Sequence, residues 1–525
     1  MRGRFIMLLM ALVLVSCSKE EVVSERNIDF NYGKDLTHDM IVLGDRLENP
    51  YKTENVRKAL QSLYPTKADR VDVRTTNLYV RFLPADQGEY ETLVQSGVQL
   101  IDHPLDYEIL VEGDWYHDPE VPDGSFTWQY AVVAPDFEFP DVRYEVIDEC
   151  YISEYDTATR ADDGIDWEAV EREAYVLTGN SSRLCEPSTK SSTKVVPEGR
   201  ITIVDDKANG GKPFGVAGVM VSCNSFVKFD NAMTDRDGYY TMSKTFTSDV
   251  RYRLIFKNDK GFAIGFNLVL LPASVSTLGK AGPEGIDMTV SLESEQKLFK
   301  RCVVNNAVYD YYSRCSKEDM DIESPPSDLR IWIFHNMKVS SAVMLHHGAF
   351  VESSLVKSFL GEFCSLVEFF APDVTLGLAD KNDYQQIYST VCHELAHASH
   401  FSKAGTAYWD KYIEYIMTSY VQSSGNLYGD GLSDSSGYCA IGEMWAYFLQ
   451  SKMFKDRYGG AFPSFGTSFW FRPQIFRYLD ERGLDSSKIF AVLDGAVTST
   501  AALKNTLIQA YPVMRNVIEQ VFNRY

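Results

Sequence analysis

The run Val391-Cys392-His393-Glu394-Leu395-Ala396-His397-Ala398-Ser399-His400 limits what this chain can fold into more than any other stretch. It contains His-Glu-x-x-His. On an α-helix the two histidines fall one turn apart on one face, where both can ligate a single Zn²⁺. Tyr384, Ile387, Val391, Leu395 and Ala398 recur around them at helical spacing, which predicts a helix buried on its other face. A dry, apolar helix has little other use for two histidines and a glutamate. Glu394 would lie beside a water on the ion, placed to take its proton and pass it to a leaving amine. The plainer alternative is a surface helix with two solvated histidines.

A catalytic zinc generally takes three protein ligands. His400 follows on the same helix, but it lies about 10.5 Å along the axis from His393, too far to share an ion with it. It also stands where the metzincin pattern His-Glu-x-x-His-x-x-Gly-x-x-His needs its glycine, and Lys403 replaces the last histidine. A better third ligand is Glu443. Ile441, Met444, Trp445, Phe448 and Leu449 form the apolar stripe of a helix on which Glu443, Ala446 and Tyr447 share a different face. A carboxylate on a mostly apolar helix is a costly placement unless a cation receives it; otherwise it is an exposed glutamate on an amphipathic helix.

Through His393, Glu394 and His397, and through Glu443 in its Gly-Glu-x-x-Ala setting, the sequence resembles the gluzincin class of zinc metallopeptidases. That resemblance implies His393, His397 and Glu443 as zinc ligands, Glu394 as general base and a protein or peptide substrate. The ligand spacing is longer than in thermolysin-like members, and Ser399 is polar where such helices often carry an apolar residue. A tetrahedral intermediate also needs a donor for its oxyanion. Tyr438, Tyr447, Tyr428 and His400 are candidates; Tyr438 is preferred, five residues before Glu443 in a Gly- and Ser-rich loop. Asp430 and Asp434 are candidates for orienting the histidines.

The N-terminus predicts export. Residues 1–4 are basic and 5–15 apolar but too short to span a membrane, which reads as a signal peptide over 1–16. Leu14-Val15-Ser16-Cys17 resembles the lipobox of bacterial lipoproteins, which implies lipidation of Cys17 and a membrane anchor. Ser18-Lys19-Glu20-Glu21 resembles the export signal of surface lipoproteins in some Gram-negative bacteria, implying an outer-membrane, cell-surface location. Residues 17–29 read as a flexible tether. The remaining eight cysteines permit disulfides, but their pairing cannot be deduced. Cys392 points about 100° away from its neighbouring ligand and is not counted as one.

The expected fold is multidomain: a small α+β N-terminal domain over 30–185, a linker over 186–198, an all-β sandwich over 199–291 and an α+β, zincin-like catalytic domain over 292–525. In the first, residues 48–64 predict a helix on Val56, Leu60 and Leu63 stopped by Pro65, and 77–101 predict a βαβ-like unit with strands at 77–83 and 98–101. This domain could cover the active site, bind a partner or be purely structural. The polar run from Glu186 to Lys194 marks the boundary. Beyond it come short alternating strands and Thr234-Asp235-Arg236-Asp237-Gly238-Tyr239-Tyr240, where Asp237-Gly238 supplies the positive φ of a tight hairpin. With Val216-Ala217-Gly218-Val219, this run resembles the carboxypeptidase regulatory-like family, a transthyretin-like β-sandwich, and implies an accessory spacer. Turn formation explains Asp235 and Asp237 more simply than Ca²⁺ binding.

Six of the 9 histidines lie after residue 292, so chemistry is expected there. Residues 329–334 predict a buried strand, 351–370 a helix, and 373–379 a strand that either offers an edge to an extended peptide or completes the sheet. The end of the chain, with Ile508, Val513, Val517, Ile518 and Val521 at helical spacing, predicts a helical lobe. A formal charge of −22 opposes nucleic acid as a partner. The leading expectation is a membrane-anchored zinc protease. Its rivals are a non-catalytic surface binding or adhesion lipoprotein with a degenerate or structural zinc site, and an enzyme inhibited by its N-terminal domain.

Overall fold

A computed structural model of the chain describes residues 40–66, 68, 71–122, 125–156, 164–185, 196–265, 273–335, 338–348, 372–422 and 426–525. The expected signal peptide, Cys17, the tether, the core of the 186–198 linker and the 351–370 helix lie outside the described residues. The architecture is α+β with several β-sheets.

The N-terminal region comprises β1 (Val42–Arg46), α1 (Thr53–Leu63), β2 (Asn77–Leu83), α2 (Gln87–Gln95), β3 (Tyr107–Val111), β4 (Gln129–Val133), β5 (Arg143–Cys150) and α3 (Trp167–Leu177). Helix α1 ends before Pro65, as expected, and packs Val56 and Leu60 against Val170 and Ala174 of α3. Leu63 instead stays 40% exposed. Strand β2 runs antiparallel to β4 on one side and β5 on the other. Both of its edges are thus filled, which overturns the βαβ-like unit: after α2 the chain makes only a bridge from Ile101 to Tyr130.

The middle region comprises β6 (Glu198–Ile203), β7 (Phe214–Gly215), β8 (Val219–Ser225), β9 (Lys228–Met233), β10 (Tyr239–Thr241), β11 (Val250–Asn258), β12 (Ala263–Ile264), β13 (Val275–Ala281) and β14 (Met288–Val290). One sheet gathers β7, β10 and β14 around β6; another places β11 between β8 and β13, with β9 beyond β8. Ile201, Ile203 and Val290 from the first and Val221, Tyr252 and Leu254 from the second share one core. The Asp235 carboxylate accepts from Asp237 N (2.8 Å) and Tyr239 N (2.9 Å). Gly238 has φ 85° and comes so close to Ile201 O that a Cβ would lie 2.0 Å from it. The turn is real, but it is not a hairpin between paired strands: β9 and β10 lie in different sheets, and the turn carries the chain across.

The C-terminal region comprises α4 (Gln296–Arg314), β15 (Arg330–Phe334), β16 (Ser341–Ala342), β17 (Val374–Gly377), α5 (Tyr384–Ala404), α6 (Thr406–Gln422), α7 (Ser436–Tyr458), α8 (Gln474–Asp480), α9 (Ser486–Ala491), α10 (Thr500–Ala510) and α11 (Arg515–Phe522). Strand β15 lies parallel to β17 on one edge and to β12 on the other, and β12 pairs with the end of β11. One sheet therefore crosses residue 291 from the middle region into this one. Strand β17 does not offer an edge, because β16 pairs antiparallel along it and the Ala342 carbonyl of β16 accepts from the Trp409 indole at 3.1 Å. At the chain end Ile518 and Val521 are buried, whereas Val513 sits in the turn after Pro512 and is 96% exposed.

Candidate metal centre

Helix α5 starts where Asp383 accepts a bond from Gln386 N at 2.8 Å and ends at Gly405, whose φ of 82° turns the chain into α6. Ile387, Val391, Leu395 and Ala398 are buried as expected, but so are His393, Glu394, His397, Ser399 and His400. A helix buried all round belongs to the interior, so each polar side chain on it needs an account.

Helix α7 supplies that account for two of them. It packs along α5 in the opposite sense, which sets Glu443 against both histidines. Gly442 lets Tyr412 close in, since a Cβ there would lie 3.3 Å from the Tyr412 ring. His393 Nε2 lies 3.6 Å from Glu443 Oε2, and His397 Nε2 lies 3.5 Å from Glu443 Oε1. These distances are long for N–H···O bonds. They match a shared ion: ligand atoms about 2.0–2.1 Å from a tetrahedral centre are about 3.4 Å apart. Ligand atoms of all three residues fall within 4.8 Å of one another. His393 Nε2 is buried and has no hydrogen-bond partner among the described residues. The group could hold a metal ion.

The charges suit that role. Burial pushes the Glu443 carboxyl up, but His397 and then the contacts with His393 outweigh it and hold the group down at about 2. Burial lowers the His397 imidazole against the opposing pull of Glu443. At neutral pH the site presents an ionised carboxylate and a neutral His397, the forms that ligate.

Further side chains fix the ligands. His393 Nδ1 meets Gln450 Oε1 at 3.1 Å, and Gln450 Nε2 donates to Ser389 Oγ at 2.8 Å. The Tyr412 hydroxyl donates to Glu443 Oε1 at 2.6 Å. The Tyr447 ring packs edge-on against His393, 4.4 Å between centroids, and its hydroxyl meets that of Tyr428 at 3.2 Å. The sequence does carry a sign of Gln450: it is a polar residue two turns after Glu443 on the same helix face. Nothing separates Tyr412 from Tyr408 and Tyr415 in the aromatic run of α6.

Other candidates stand elsewhere. Tyr438 is not in a loop but in the first turn of α7, its ring 5.0 Å from that of Tyr408 and its carbonyl accepting from the Tyr408 hydroxyl at 2.9 Å. Gly437 permits that start, since its backbone packs on Thr498 where a side chain would not fit. Asp430 is exposed and caps its own turn through Leu432 N, and Asp434 is exposed, so neither orients a histidine. His400 packs against Tyr408 and Trp409, and burial pushes it down to about 3. Cys392 is buried, which raises its thiol, and the other cysteines among the described residues are also free thiols. No family model, no curated protein and no solved structure matches the chain.

Proposed function

We propose that the chain is a zinc-dependent peptidase similar to gluzincins, with His393, His397 and Glu443 as ligands and Glu394 as general base. The observation that carries this reading is the convergence of two Nε2 atoms and one carboxylate at 3.5 and 3.6 Å, with Glu394 on the turn between the two histidines. Two imidazoles and a carboxylate form a donor set that suits zinc and leaves one position open. Held by His393, His397 and Glu443, zinc would supply Lewis-acid polarisation of a substrate carbonyl and acidify a water near neutral pH. Glu394 accepts the proton of the attacking water and delivers it to the leaving amine. Tyr412 and Gln450 hold Glu443 and His393 in place while this happens.

The setting in this proposal is a lipoprotein anchored at Cys17 to the outer membrane, facing the cell exterior. The middle region corresponds to the carboxypeptidase regulatory-like sandwich and the C-terminal region to the zincin-like catalytic domain. Turnover of an unfolded protein substrate that a chelator abolishes and Zn²⁺ restores is the expected result. Turnover unaffected by exhaustive chelation contradicts the proposal.

One observation favours a second reading, a structural metal in a non-catalytic binding or adhesion lipoprotein. His393, Glu394, His397 and Glu443 are all 3% exposed or less, as befits a closed structural site. On that reading the protein holds zinc one-to-one, loses thermal stability when stripped and shows no turnover.

A further inference from the structure

Resting on the zinc reading above, we infer that Gln450 is a positioning residue whose side-chain amide sets the tautomer of His393 and so decides whether its Nε2 faces the metal position with a lone pair or a proton.

A neutral imidazole carries one proton on its two nitrogens and ligates only through the other. At His393 the nitrogen facing Glu443 is Nε2, so binding requires the proton on Nδ1. Gln450 Oε1, 3.1 Å away, can only accept; it holds the proton on Nδ1 and leaves Nε2 open. The other end of the same amide donates to Ser389 Oγ at 2.8 Å. Ser389, His393 and His397 follow one another four residues apart on α5, and Glu443 and Gln450 stand two turns apart on α7. The metal position and its tautomer control therefore form one ladder between two antiparallel helices.

The choice of a carboxamide has a consequence that a carboxylate would not have. A glutamine can present either end, and a serine hydroxyl can accept or donate. With the amide turned, Gln450 Nε2 donates to His393 Nδ1, the proton moves to Nε2 and points at Glu443, and Ser389 donates to Oε1. His393 Nε2 then carries its proton toward Glu443 Oε2, 3.6 Å away, and that contact closes the metal position. Gln450 thus supports both a metal-binding and a metal-free arrangement, whereas a glutamate at 450 supports only the first.

The test is zinc affinity, measured by competition with a chromophoric chelator on the full chain, for wild type, Q450E and Q450L, with thermal melting of each metal-free form. The expected result is opposite signs: on the order of 10–100-fold weaker binding for Q450L and tighter binding for Q450E, although its extra half-buried charge lowers the melting temperature of the metal-free form. If both variants weaken binding alike, or neither changes it, while wild type holds zinc one-to-one, the inference fails and the zinc reading survives. Wild type that does not bind zinc overturns both. S389A, which removes the far anchor of the amide, is expected to weaken binding less than Q450L; an effect larger than that of Q450L contradicts the ladder.

Discussion

The middle region meets the C-terminal region through a shared sheet; it meets the N-terminal region mostly through side chains, with backbone joined at the single bridge between Leu184 and Ser248 among the described residues. On the C-terminal side, Ala263 and Ile264 pair with Arg330 and Ile331, and the sheet continues to β17. Asn306 donates to Gly215 O and accepts from Ala217 N, clamping the loop before Val219. Asp205, fully buried, receives the Arg457 guanidinium at 2.9 Å and the Tyr458 hydroxyl at 2.9 Å. Arg457 belongs to α7 and lies over the rings of Tyr384 and Tyr388 in α5, so this junction holds together the two helices that carry the metal ligands. On the N-terminal side, Lys228 inserts between Glu154 (2.7 Å) and Glu171 (2.9 Å), Arg251 meets Glu112 (2.7 Å) and His103 (2.9 Å), and Phe226 and Val227 at the hairpin tip enter the N-terminal core. A sheet that runs through both regions makes a cooperative unit; ion pairs, one inserted hairpin tip and a single backbone bridge make a seam that opens more easily.

The largest expected effect comes from cutting the chain at each junction. A chain of residues 196–525 should fold and bind zinc as the full chain does, whereas one starting at residue 292 should be insoluble or unfolded, because β15 loses its β12 neighbour; circular dichroism and zinc content check both. A folded, zinc-binding 292–525 fragment would contradict the woven junction. Next in size, Asp205→Ala leaves the Arg457 charge uncompensated and is expected to cost about 3–5 kcal/mol in chemical denaturation and to weaken zinc binding. Lys228→Ala, which strands two carboxylates, should cost a similar or smaller amount but leave zinc affinity unchanged, with faster hydrogen exchange confined to the N-terminal region. Equal loss of zinc affinity in both variants would erase the distinction between the junctions.

The smallest effect is a pH dependence of the N-terminal junction. Burial, against the pull of Asp102, holds His103 down at about 4, below its ordinary value near 6.5. The unfolded chain therefore binds the proton first as pH falls, so stability at this junction declines between about 6.5 and 4 and levels off below. Protonation also places His103 Nε2–H against an Arg251 donor. Hydrogen exchange around residues 101–116 should rise over that interval more than in β15; a flat profile there contradicts the assignment.

How far the sequence was legible follows from the range of the interactions. The helix around His393 was readable because a 3.6-residue period and a metal-binding spacing reinforce each other within one turn. Glu443 was readable as a carboxylate on an apolar helix, and the turn at Asp235–Gly238 as local chemistry. Alternating short stretches make strands such as 198–203, 219–225 and 250–258 readable, but not their partners: nothing local tells β9 and β10 that they belong to different sheets, or β12 that it pairs across residue 291. The same holds at the site. Tyr412 reaches Glu443 from another helix and looks like any core tyrosine, and the Gly and Ser residues before Tyr438 read as a loop although packing of Gly437 on Thr498 lets the helix begin there.

The central claim is that His393, His397 and Glu443 hold zinc while Glu394 does the proton transfer. The most direct test is Glu394→Gln in the full chain, with zinc content and peptide turnover measured on the same sample. The account predicts one zinc per chain, a melting temperature close to wild type, and turnover lowered by at least about 10²-fold, the lower end of what a general base contributes. Full turnover with zinc retained would contradict it.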